Sequence, residues 1–325
     1  MKKAFIIFTA ALLAASCSKN TDLSDNAPAD NPSGAQIAFT YANPTAATRA
    51  AGDPVAASDA EKAIYDMDVF MFLADGTFVR QLTAADYTLA DSGAGTTSLT
   101  LTDALLAQYG GQRAVFYFVA NNVASTGGVH IASFDGTSED QFRELLTAPA
   151  PISTLPWAVG LPVPISVAAG THGMLMTGRS DAITLAGKRT ETITLKRRAA
   201  RFDVINPGIA DGISIDTYFI SDAPTQAPLF ANSATAPALE YKSIESIWEY
   251  QENFDAAGCH SGAFYLYPTT LDKTVITIQV RNSANLRRIY TVESDIAIEA
   301  NKRYTIEFTG TDFIVGGDIP DWQEG

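Results

Sequence analysis

Ile276-Thr277-Ile278-Gln279-Val280-Arg281-Asn282-Ser283-Ala284-Asn285 is the stretch that decides the fold class. Apolar and polar side chains alternate through Arg281, the period-two pattern of a strand with one buried and one wetted face. Asn282 to Asn285 is turn chemistry, and it sends the chain back into a second strand-like run, Arg288 to Val292. The alternation recurs at Tyr304, Ile306 and Phe308, which are spaced by Thr305 and Glu307. A helix would scatter these residues around its axis, so the spacing predicts sheet.

Working outward, Phe264 to Tyr267, Ser214 to Ile220 and Arg201 to Ile205 read as further strands, with Ile193 and Leu195 leading into them. The basic cluster Lys196, Arg197, Arg198 and Arg201 would alternate faces on a strand, which predicts a solvated sheet edge or contacts with an acidic partner. Ala223 to Ala238, rich in Ala, Pro and Thr, reads as a long surface loop or insertion. In the first half, Met67 to Leu73 and Thr77 to Leu82 flank the hairpin turn Ala74-Asp75-Gly76. Ala114 to Val119 is a buried strand stopped by Asn121-Asn122. Short helices are predicted over Thr102 to Tyr109, ended by Gly110-Gly111, and from Ser138 through Leu146, opened by the capping box Ser138-Glu139-Asp140-Gln141. A further capping box, Ser58-Asp59-Ala60-Glu61, precedes a brief helical turn. Short strands at this spacing argue sandwiches rather than a parallel sheet, and a boundary near Gly187 gives two β domains, 50–187 and 188–325.

The chain has 325 residues, 46% of them apolar and 18% charged, with a formal charge of −14. Such an acidic surface repels phosphate backbones, so nucleic acid is not an expected partner. Met1-Lys2-Lys3 followed by the apolar run Ala4 to Ala15 is signal-peptide grammar, and the run is too short to span a bilayer. Leu13-Ala14-Ala15-Ser16-Cys17 reads as a lipobox, with residues 1–16 removed and Cys17 lipidated, although Ala14 stands where Leu is preferred. The alternative is an ordinary signal peptide with an incidental Cys. Cys259 is the other cysteine, so no disulfide framework is expected, and it reads as a small buried hydrophobe. Residues 18–35 form a polar tether. Then comes Gln36-Ile37-Ala38-Phe39-Thr40-Tyr41, with Ile37, Phe39 and Tyr41 on one face, followed by Arg49-Ala50. An apolar strand in that position is stable only if it completes a sheet elsewhere.

The lipobox, the Arg49 site after a lone strand, Asp68 to Phe72 with Asp75-Gly76, Phe116 to Asn121 and Met174 to Gly178 occur in that order. Leu195 to Val204, Tyr265 to Pro268, Asn301 to Tyr304 and Asp321-Trp322 follow. In these features the chain from Cys17 onward resembles the Bacteroidales-type fimbrillins, the type V pilins. The resemblance implies two tandem transthyretin-like β-sandwich domains in a mainly β fold with a few short helices. It implies a lipidated precursor at the outer membrane, later part of a surface fimbrium that supports adhesion. It also implies cleavage between Arg49 and Ala50 by an arginine-specific or trypsin-like protease. The removable strand carrying Ile37, Phe39 and Tyr41 then leaves its groove to a neighbour's C-terminal donor strand, here anchored by Phe313, Val315 and Ile319. Partners are other fimbrial subunits and a host or bacterial surface receptor. Gly316-Gly317 and Pro320 weaken the tail as a strand, which keeps a tip adhesin open as an alternative.

His130, His172 and His260 have no helical zinc spacing, and Cys259-His260 are sequence neighbours rather than a nucleophile–base pair. Phosphate-loop, dinucleotide and nucleophile-elbow motifs are missing, so no catalytic residue, metal or cofactor is assigned and the chain is not read as an enzyme. Asp135 to Asp140 loosely suggests a calcium loop but lacks the acidic alternation, and reads as a helix N-cap. Trp157 or Trp248 could serve a monomeric glycan-binding lipoprotein, the alternative from another functional class.

Overall fold

Each alternating run becomes a strand, and its pairing partners come from distant parts of the chain. The computed structural model describes residues 36–42, 64–91, 96–122, 131, 133–147, 174–206, 212–224, 226–230, 241–249, 260–270, 272–293, 296–309 and 313–319.

The first half contains β1 (Gln36–Ala42), β2 (Met67–Leu73), β3 (Phe78–Gln81), β4 (Tyr87–Asp91), β5 (Thr96–Leu101), α1 (Asp103–Tyr109), β6 (Arg113–Ala120), α2 (Glu139–Arg143), β7 (Met176–Arg179) and β8 (Ile183–Thr184). Then come β9 (Lys188–Thr192), β10 (Lys196–Arg197), β11 (Ala200–Ile205), β12 (Ser214–Pro224), β13 (Tyr241–Glu249), β14 (His260–Leu266) and β15 (Thr269–Thr270). The chain continues through β16 (Val275–Arg281), β17 (Arg287–Val292), β18 (Ala297–Ile298), β19 (Arg303–Phe308) and β20 (Phe313–Ile319).

Two sheets build the first sandwich, one in the order β4-β5-β1-β9 and one in the order β10-β7-β6-β2-β3, with β8 beside β6. The period-two rule sorts β6 cleanly. Phe116 and Phe118 face the β1 sheet, whereas Val115, Tyr117 and Val119 face a second layer containing Phe142 and Leu229. Both faces of β6 are therefore buried, as its unbroken apolar run requires. The turn after β2 depends on Gly76 at φ 86°, and Asn121 at φ 59° ends β6.

The second sandwich pairs a sheet ordered β14-β11-β19-β20 with one ordered β13-β12-β16-β17. Ile276, Ile278 and Val280 are buried while their neighbours along β16 are half-exposed, as the alternation demands. They pack with Phe202, Val204, Ile306 and Phe308. The fold is mainly β.

Four sequence expectations need revision. Residues 188–197 were assigned to the second half, yet β9 pairs with β1 and β10 with β7. The change of sheet partners falls after Arg197, because β11 pairs with β14 and β19. The helix opened by Ser138 ends at Arg143 rather than Leu146. It stops because 145–147 turn extended to meet 227–229: Thr147 N–H donates to the Ala227 carbonyl (2.8 Å) and Leu229 N–H to that of Leu145 (2.9 Å). The same contacts overturn the surface-loop reading of Ala223 to Ala238, since Ala227 and Leu229 are fully buried. Thr225 and residues 231–238 of that stretch lie outside the described residues.

The basic cluster is the fourth revision. Lys196 is exposed, but Arg197, Arg198 and Arg201 are buried. Arg198 Nη1 donates to the Leu229 carbonyl (2.8 Å), and burial pulls its pKa down to about 10. Arg201 (2.8 Å) and Arg303 (3.0 Å) both grip the Asp203 carboxylate. A buried guanidinium is tolerable when carbonyl and carboxylate oxygens surround it, and folding supplies those from remote positions.

Candidate functional site

β1, which carries the removable-strand residues expected from the sequence, is paired on both sides. β1 runs antiparallel to β5, with Ala38 opposite Thr100 and Tyr41 opposite Thr97. On its other side it runs parallel to β9, with Gln36 opposite Lys188 and Thr40 opposite Thr192. Further backbone bonds extend that side: Gln36 N–H to the Gly187 carbonyl, and Ile193 N–H to the Thr40 carbonyl, both 2.8 Å. The Thr40 hydroxyl also reaches the Glu191 carbonyl (3.4 Å).

Ile37 and Phe39 have no exposed surface and Tyr41 has 2%. They fill the seam between the two sheets together with Val69, Leu99, Phe116, Phe118 and Met176. The Phe39 ring lies 4.9 Å from that of Phe116 and 5.2 Å from that of Phe118, tilted and edge-on, the arrangements that aromatic quadrupoles favour. β1 is thus a core strand, as the sequence required of it. Its alternation was legible. Its parallel partner β9, beginning at Lys188 and carrying charged side chains, gave no apolar signal that could have matched the two.

The proposed donor anchors Phe313, Val315 and Ile319 lie on β20, which pairs antiparallel with β19 of its own chain, Val315 opposite Ile306. Val315 packs against the second core. β20 sits at a sheet edge and pairs with β19 alone among the described strands. The structure thus places the two strand segments in different sandwiches. Cys17, Arg49 and Ala50 lie outside the described residues, as do Ser58 to Glu61, His130, Trp157, His172 and Cys259. His260 and Trp248 are placed only as backbone of β14 and β13.

Ser138 does cap α2. Its side chain accepts from the Gln141 N–H (3.3 Å) while the Gln141 side chain accepts from the Ser138 N–H (3.3 Å), a complete capping box. The Glu139 side chain reaches from α2 to β6 and β7, accepting from Tyr117 Oη (2.5 Å) and Arg179 Nη2 (2.9 Å). Burial alone would raise the Glu139 pKa; bonds from Tyr117 and Arg179 and the guanidinium charge outweigh it and hold the carboxyl below its ordinary value. No group of three or more His, Cys, Asp or Glu suited to a metal ion occurs among the described residues. No helix among them is long and apolar enough to cross a membrane.

No family model and no curated protein sequence matches the chain. Solved structures do share its fold. A fimbrial assembly protein from Parabacteroides distasonis aligns over 87% of this chain and 95% of its own, with 12% identity and a TM-score of 0.50. The tip fimbrial protein Mfa3 from Porphyromonas gingivalis, with a C-terminal truncation, aligns over 89% of this chain and 99% of its own, with 11% identity and a TM-score of 0.51.

Proposed function

We propose that this chain is a non-enzymatic structural subunit of a bacterial surface fimbria, assembled by strand exchange after proteolysis and serving adhesion. The observation that carries the reading is the place of β1 in the chain and in the sheet. Both strands that it pairs with, β5 and β9, follow Arg49 in sequence, so one cut after Arg49 severs β1 from both. Its departure would uncover backbone on two strands and an apolar slot shaped by Ile37, Phe39 and Tyr41. Burial of the three is worth about 5–9 kcal/mol, a strong drive to refill the slot with another strand.

β20 is a fitting donor. It is seven residues long, as is β1, and Phe313 and Val315 alternate along it, although a register shift before Ile319, opposite Arg303, takes that residue out of the alternation. At home it has one ladder, with β19; in the β1 slot of a second copy it would have two. Lipidated Cys17 would hold the precursor at the outer membrane until the cut, and mature subunits would pass to the fimbrium. The fold shared with a fimbrial assembly protein and a tip fimbrial protein supports the reading.

A second reading, a tip subunit, is favoured by one observation: β20 is seated in its own sheet. A copy that accepts a strand but keeps its own would end a filament. The test treats purified precursor with a trypsin-like protease and follows the products by mass spectrometry and gel. A stalk subunit gains an N-terminus at Ala50 and forms heat-resistant ladders, which truncation after Gly310 abolishes. A tip subunit is cut at the same bond yet stays single. Ladders from uncut protein, or ladders that survive the truncation, would refute the donor-strand mechanism.

A further inference from the structure

Among the described strands β9 has one neighbour, β1, and stands at the edge of its sheet. Ala186 N–H bonds back to Thr184 in β8, but among the described residues the bonds that Gly187 to Thr192 make to other elements go to β1. These are the parallel ladder, the Gln36 N–H on the Gly187 carbonyl, and the Thr40 hydroxyl on Glu191 and Thr192. The side chains of β9 add little anchorage, being exposed at Lys188, Arg189, Thr190 and Thr192. The ends behave differently. Leu185 is buried and bonds to Gln112 and Gly111 through its backbone, while Ile193 and Leu195 are buried in the first core. Gly187, at φ +67° with open space around it, is free to turn at the upper end.

β5 stands in contrast, because it keeps β4 as a partner when β1 is gone. The two walls of the slot are therefore unequal: one is held in a sheet, and the other is a strap pinned at Leu185 and Ile193. We infer that residues 186–192 are a strap that β1 alone holds closed: it opens when β1 leaves, admits the incoming strand from the side, and closes over it. The inference rests on the strand-exchange reading and adds to it a mechanism of entry. Threading a strand lengthwise between two fixed walls would require every bond to form in sequence, whereas a loose wall lets the strand dock on β5 first and be covered afterwards. Lys188 and Arg189 on an uncovered edge also discourage stray pairing while the strap is loose.

The first arm of the test needs no cleavage and so separates this inference from the function on which it rests. In the intact chain, amide exchange is followed by mass spectrometry at low, sub-denaturing urea, where local openings are resolved. The strap predicts that peptides covering 36–42 and 187–193, including the Ile193 amide bonded to Thr40, open together as one unit, while 97–101 stays protected. After cutting behind Arg49 and removing the freed segment, exchange in 187–193 should accelerate by about 100-fold or more and slow again in polymer. Protection of 187–193 that outlasts the opening of 36–42, or equal loss in 97–101, overturns the strap. Joint opening in a protein that is neither cut behind Arg49 nor assembled would leave the strap standing and sink the fimbrial reading instead.

Discussion

Replacing Phe39 with Ala tests whether β1 belongs to the core in energetic as well as geometric terms. Phe39 is fully buried and its ring contacts those of Phe116 and Phe118, so truncation removes the central anchor of the strand. Buried Phe to Ala changes cost about 3–5 kcal/mol, lost transfer energy plus the cavity left behind. That is a large share of the roughly 5–15 kcal/mol by which a domain is stable. Urea unfolding of the uncut chain, followed by circular dichroism, should show the loss as a fall in midpoint with an unchanged slope. Exposed Gln36 in the same strand supplies the control, since Gln36→Ala should stay within about 0.5 kcal/mol. The cost should vanish after processing, because residue 39 has then left the protein. Polymers made from the variant should match wild type in heat resistance. A loss below about 1 kcal/mol in the precursor would mean that the slot does not depend on its occupant, and the strand-exchange argument would fail with it.

Three further outcomes follow from other sites. Asp203→Asn takes the shared carboxylate from buried Arg201 and Arg303 and should cost about 3–5 kcal/mol in urea unfolding, and Arg303→Met in the same chain should recover part of it. Glu139 is held below the ordinary glutamate value of 4.5, so its contribution is complete above that pH and lost as the pH falls through the folded value. The unfolding midpoint should therefore drop as the pH falls below the ordinary glutamate value, and less steeply in Glu139→Gln. A Cβ at Gly178 would lie 2.8 Å from Ile193 Cγ2 and 3.0 Å from the Thr194 carbonyl, so Gly178→Ala should lower the melting temperature by displacing the lower pin of the strap.

How far the sequence could be read depended on whether a signal was local. The alternation of β16 and β19, the Asp75-Gly76 turn and the capping box at Ser138 each rest on residues within a few positions, and all stand as expected. β1 was also legible in part, because an apolar strand beside a polar tether demands a sheet. The identity of that sheet was not, since Glu191 and Thr192 are ordinary edge residues. Arg198 and Arg201 misled because charge was visible and the compensating Leu229 carbonyl and Asp203 carboxylate were not yet known to surround them. The segment 226–229 was misread for a related reason: Ala, Pro and Thr composition suits a loop, yet its backbone bonds are satisfied by 145–147 inside the protein.

Thr40 and Glu191, bonded across the slot, stand 151 positions apart. β1 can therefore pair early with β5, but its second partner, β9, is complete only when 151 further positions have followed Thr40. Closure of so long a loop is slow, and the sandwich spends that time with its seam open. Until β9 arrives, β1 has β5 alone beside it and its other edge stands open to a foreign strand. Keeping copies apart during that interval, as the proposed membrane anchor would, then matters as much to orderly assembly as the proposed cut.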